Sequence, residues 1–114
     1  MNVTVAATQM SCGWDREENI ARAERLVREA AGRGANVVLI QELFETPYFC
    51  KDHLASHFEL ATEVGENPAV RHLSRVAAEL GVVLPLSIFE RAARSLPASM
   101  QGLSLLCPVR LWLR

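Results

Sequence analysis

Residues 36–50, Asn-Val-Val-Leu-Ile-Gln-Glu-Leu-Phe-Glu-Thr-Pro-Tyr-Phe-Cys, decide how the rest of this 114-residue chain is read. Val37, Val38, Leu39 and Ile40 form an unbroken, largely β-branched apolar run, the pattern of a strand buried on both faces of a sheet. Glu42 follows almost at once. A carboxylate is costly to desolvate, and ligands of open α/β sheets gather at the carboxyl ends of strands, which makes Glu42 the candidate general base. The plain alternative, for a glutamate after an arbitrary strand, is a solvated loop charge.

Toward the amino terminus, Gly32 and Gly34 supply residues that let a helix end and hand over to this strand. Ile20, Ala23, Leu26, Val27, Ala30 and Ala31 recur at three and four residues, with Arg22, Arg25, Arg28 and Glu29 largely on the other side. That spacing predicts an amphipathic helix lying on a sheet. Asp15-Arg16-Glu17-Glu18 has capping-box spacing and marks its start. Before it, Val3, Val5 and Ala7 alternate with Thr4, Ala6 and Thr8, predicting a strand over residues 2–9. Strand, helix and strand within about forty residues make a βαβ unit with parallel strands, and the α/β class follows.

Toward the carboxyl terminus, Leu54, Phe58 and Ala61 predict a short helix over residues 54–64, closed by Gly65. Asn67-Pro68 reads as a cap followed by proline at the first helical position, and Val70, Leu73, Val76, Ala77 and Leu80 as the buried stripe of a helix ending at Gly81. Residues 82–89 predict a third strand. Pro85 has no amide to donate, which points to a bulge or irregular position there.

Half of the residues are hydrophobic and 22% are charged, a globular composition of a size that suits one domain. The formal net charge of −1 advertises no nucleic-acid partner. It hides an asymmetry: all 13 acidic residues lie at or before Glu90, whereas Arg91, Arg94, Arg110 and Arg114 follow with no acid among them. Three cysteines cannot all pair within one chain, and the start at Met1-Asn2-Val3 is not a secretory signal, so a reduced, cytoplasmic protein is expected. Residues 103–113, the longest apolar stretch of note, are broken by Pro108 and Arg110 and fall short of the ~20 residues that span a bilayer, so no membrane partner is expected.

Gln-Glu-Leu-Phe-Glu-Thr-Pro-Tyr-Phe, residues 41–49, resembles the signature around the glutamate of the nitrilase-type carbon-nitrogen hydrolases, and within them most the N-carbamoylputrescine amidases. The resemblance continues through Val-Thr-Val-Ala-Ala-Thr-Gln-Met-Ser at residues 3–11, the helix over 19–34 and residues 82–92. It covers about the first 92 residues. It implies the amino-terminal half of an α-β-β-α sandwich, in which two βα layers stack through their sheets. It also implies hydrolysis of a carbamoylated amine, N-carbamoylputrescine to putrescine, carbon dioxide and ammonia, in polyamine biosynthesis. The chemistry is that of a Glu-Lys-Cys triad: cysteine attacks the carbonyl, lysine stabilises the oxyanion and glutamate takes the thiol proton. No cofactor is implied, and homo-oligomers are usual in the family.

Of the triad, only Glu42 carries over. The family's Lys-x-His-like and Gly-x-x-x-Cys-Trp-Asp-like segments lie beyond the resemblance and have no counterpart here, so the chain alone is expected to be inactive. Lys51, the one lysine, is expected as a solvated charge. Cys107 lacks the flanking glycine and following acid, and Cys12 and Cys50 read as packing or loop residues. His53 and His57 have a ligand spacing but no third ligand, so no metal site is expected. Glu45 is a second carboxylate at the expected pocket mouth, a loop charge or a holder of the cationic amine. Tyr48 is a candidate lining residue, its alternative being to anchor the loop on the core.

Residues 93–114 fit no amphipathic template. Six leucines, no acid, and Pro97, Gly102 and Pro108 break any long element. The family would continue with an Asn-Ser-containing strand and a hairpin. The reading frame is therefore expected to change near Ala92, with an early stop. A module that associates through its uncovered sheet is the alternative to an enzyme.

Overall fold

The computed structural model describes residues 1–91 together with the strand backbone of residues 109–112. The order is β1 (Val5–Ala7), α1 (Arg16–Gly32), β2 (Val37–Leu39), three short 3-10 turns (Phe49–Asp52, Ala55–Leu60, Val64–Glu66), α2 (Pro68–Leu80), β3 (Leu84–Ser87) and β4 (Val109–Trp112). Residues 92–108, with Cys107 and the expected change of frame, lie outside the described residues.

Local chemistry sets the helix ends. The Asp15 carboxylate accepts from the Glu18 amide at 3.0 Å and starts α1. The Glu18 side chain turns to Arg22 rather than back to the cap. Asn67 accepts from the Val70 amide at 2.9 Å with Pro68 at the first turn of α2, and Gly81 ends that helix at φ +67, a left-handed position that glycine adopts without Cβ strain.

The strands β1 and β2 pair in parallel, Val5 opposite Val37 and Ala7 opposite Leu39, as the βαβ reading requires. A single parallel bridge, Val37 to Val83, carries the sheet to the segment leading into β3. It is bonded through Val38 N to Val83 O at 3.0 Å and Val83 N to Asn36 O at 2.9 Å. On its other side β3 runs antiparallel to β4, with Pro85 opposite Leu111. So the tail, for which no element was expected, contributes one short strand.

Ile20, Ala23 and Val27 of α1, Val70, Leu73 and Val76 of α2, and Val38, Ile40, Leu84 and Leu86 of the sheet segments form one buried cluster. Both helices therefore cover the same sheet face. They also touch each other: Arg28 donates two bonds of 2.9 Å to the Glu79 carboxylate and one of 2.8 Å to Glu24, which His72 meets from α2. The opposite face is open. Val5 is 71% and Leu39 52% exposed, so the expectation of a strand buried on both faces is corrected: no layer among the described residues covers that side.

The expected helix over residues 54–64 is also corrected. Its residues form 3-10 turns, and Leu54 and Phe58 stay exposed. A helix gains most of its stability from burying one apolar face, and here Ala61 is buried while Leu54 and Phe58 are not, so the three do not form one buried face. No helix among the described residues is long and apolar enough to cross a membrane.

Candidate active site

The turn after β2 carries the candidate base. Gln41 fixes the turn's start: its Oε1 accepts from the Met10 amide at 2.7 Å, and its Nε2 donates to the Cys12 sulfur at 3.4 Å. The chain then reverses through Leu43, whose φ of +52 lies in the left-handed region. For a bulky side chain such a conformation costs about 1–3 kcal/mol and persists only where surrounding contacts impose it. Leu43 and Phe44 turn inward, Phe44 completely, and Glu42 turns outward. The Glu42 carboxylate stands exposed just past the carboxyl end of the strand.

Glu45 behaves in the opposite way. It was expected at the pocket mouth, as a loop charge or a holder of the cationic amine, yet it is 4% exposed. Asn67 Nδ2 lies 3.2 and 3.0 Å from its two oxygens, and the Arg16 guanidinium is 3.6 Å away. Its backbone carbonyl accepts from Asn19 Nδ2 at 2.9 Å. Asn19 also binds Gly13 through both functions, at 3.0 and 2.6 Å, which ties the β1–α1 connection into the same cluster. Buried polar groups persist when bonded in this way. Sequence reading found Asn67 as a cap but missed its second bond, and missed Asn19 and Gln41. The available signal was Asn19 itself, a polar residue four before Ala23 on the apolar stripe.

Tyr48 is 50% exposed beyond the turn, and Lys51 and Cys50 are exposed as well. Phe49 is buried and anchors the following segment through its rings' contacts with Phe89 and His57, at centroid separations of 4.9 and 5.3 Å. His53 is exposed in a left-handed conformation just after the first 3-10 turn, and His57 is half-buried within the second, so their four-residue spacing does not place them on one α-helical face. Burial pushes the Cys12 thiol above its ordinary value, an effect partly offset by the nearby Arg22 guanidinium. The described clefts, one along β1 and α1 and one between α1 and α2, are not lined by Glu42.

The parallel β1–β2 pair with two helices packed on one face defines an α/β layer, and the exposed Glu42 carboxylate lies just past the carboxyl end of β2. The carbon-nitrogen hydrolase profile matches residues 4–106, and the chain belongs to that family. An N-carbamoylputrescine amidase of Arabidopsis thaliana is 47% identical over 90 residues, 79% of this chain and 30% of that protein. A citrullinase of Francisella tularensis is 38% identical over 90 residues, 79% of this chain and 32% of that protein. A solved carbon-nitrogen hydrolase from Helicobacter pylori G27 superposes with a TM-score of 0.71 at 28% identity, covering 82% of this chain and 32% of that one. The chain thus spans about 30% of the length of the amidases it matches.

Proposed function

We propose that this chain is the base-bearing part of a hydrolase that cleaves the carbon-nitrogen bond of a carbamoylated amine, N-carbamoylputrescine first among them. The observation that carries the reading is Glu42 at the carboxyl end of β2, in a chain 47% identical to a relative named for that amidase. A thiol is mostly protonated near neutral pH and needs a base. Glu42 takes that proton as sulfur attacks the carbamoyl carbon. It returns the proton to the departing nitrogen, so ammonia leaves and the carbamoyl carbon is left on sulfur. Water, its proton taken by the same carboxylate, then frees the thiol, and the carbamate loses carbon dioxide to give putrescine. The Tyr48 ring borders the apolar part of the amine.

The lysine and cysteine of this chemistry have no counterpart in residues 1–114, so the chain alone is expected to release no ammonia. The test is ammonia release from N-carbamoylputrescine by the protein purified from its natural source, with its intact mass measured beside it. Replacing Glu42→Gln keeps the shape and removes the base, and is expected to cut the rate by about 10²–10⁴-fold. A rate unchanged by that substitution overturns the assignment.

A second reading, a module that associates through its sheet, is favoured by Val3, Val5 and Leu39, which are 56%, 71% and 52% exposed on or beside β1 and β2. Apolar surface gathered on one sheet is a sticky feature.

A further inference from the structure

Glu42 does not hold its own place: its side chain makes no hydrogen bond or ion pair with any described residue. What aims it is the backbone on either side. Upstream, Gln41 is fastened to the Met10 amide. Downstream, past the left-handed Leu43, the chain is fastened at Glu45, the one residue of the turn bound from both helices. From α1, Asn19 grips the Glu45 carbonyl; from the start of α2, Asn67 grips its carboxylate. Asn19 and Asn67 are 1% and 0% exposed, so no water competes for these bonds.

We propose that the buried Glu45–Asn67 pair is a positioning device: it holds the turn in its reversed form and so directs Glu42 toward the site. This rests on Glu42 being the base. It gives Glu45 a role that neither a loop charge nor a substrate contact requires. The pair also links the base to the cap of α2, since the same Asn67 side chain accepts from the Val70 amide through Oδ1 while Nδ2 serves Glu45 and the Thr62 hydroxyl.

The donor and acceptor of the pair can be exchanged. Asn67→Asp keeps a good helix cap but sets two carboxylates face to face. Adding Glu45→Gln restores a bond of reversed sense, the new amide at 45 donating to the new carboxylate at 67. Amide hydrogen exchange of the 114-residue chain reads the result. Asn67→Asp alone is expected to speed exchange at residues 43–46 by about tenfold or more relative to amides in the middle of α1, and the double substitution to bring it back. In the natural-source enzyme, Asn67→Asp is expected to lower kcat for the carbamoylated amine with KM little changed, and the double substitution to recover it. Unchanged exchange in the turn, an equal rise throughout α1, or no rescue by the double substitution overturns the proposal. Glu42→Gln separates the two ideas. Hydrolysis surviving Glu42→Gln sinks the base assignment alone, while turn exchange that ignores the 45–67 pair sinks the positioning role alone.

Discussion

Within four residues the turn after β2 sends one acid to solvent, one aromatic ring into the core and a second acid into a buried polar cluster. Phe44 is fully buried and Glu45 nearly so, while Glu42 is exposed. Truncating the ring, Phe44→Ala, is expected to remove about 3–5 kcal/mol of stability, since the cavity lies under a backbone already held at a left-handed Leu43 and cannot easily collapse. Thermal unfolding checks this: a loss of less than about 1 kcal/mol would show that the ring contributes little to the core. At this scale the motif of residues 41–49 was legible as a string, and so was the place of Glu42 after a strand. The direction of Glu45 was not, because nothing nearby in sequence contacts its carboxylate; its partners Asn67 and Arg16 are 22 and 29 positions away.

Between elements, α1 and α2 are held at their outer edges by the Arg28, Glu24, Glu79 and His72 cluster. The bond from His72, then that from Arg28, holds the Glu24 carboxyl below the usual glutamate range; Arg28 does the same for Glu79. The folded pKa values lie below the unfolded ones, so across the glutamate range the folded chain binds fewer protons than the unfolded chain does. The contribution is therefore complete above the ordinary glutamate value and is lost as pH drops through the lowered ones. Melting temperature is expected to fall more steeply with acid in the native chain than in Arg28→Ala. The difference should be modest and should shrink with added salt, since these groups sit at the surface. Parallel acid slopes for the two proteins would show that the cluster contributes nothing. Both caps and the glycine stop of α2 were legible because cap chemistry acts within one turn. The helix expected over residues 54–64 failed for the opposite reason: three apolar residues at helical spacing do not make a helix where only one of them, Ala61, is buried.

For the molecule as a whole, the uncovered sheet face is the largest departure from what the sequence suggested. Val37, Val38, Leu39 and Ile40 read as a strand with two buried sides, yet only one side meets the helices. If the open face drives association, sedimentation of the 114-residue chain at rising concentration should show oligomers that Val5→Lys with Leu39→Lys disperses. A chain that stays monomeric with the native face exposed would count against the association reading. The sequence by itself determined the βαβ order, the helix starts at Asp15 and Asn67, the stop at Gly81 and the strand end that carries Glu42, because periodicity, capping and turn chemistry act over a few neighbouring residues. Only the tertiary structure decided which face of β2 is covered and which of two glutamates three residues apart is buried. Both depend on contacts with elements tens of residues away, and those contacts exist only once the helices have docked on the sheet.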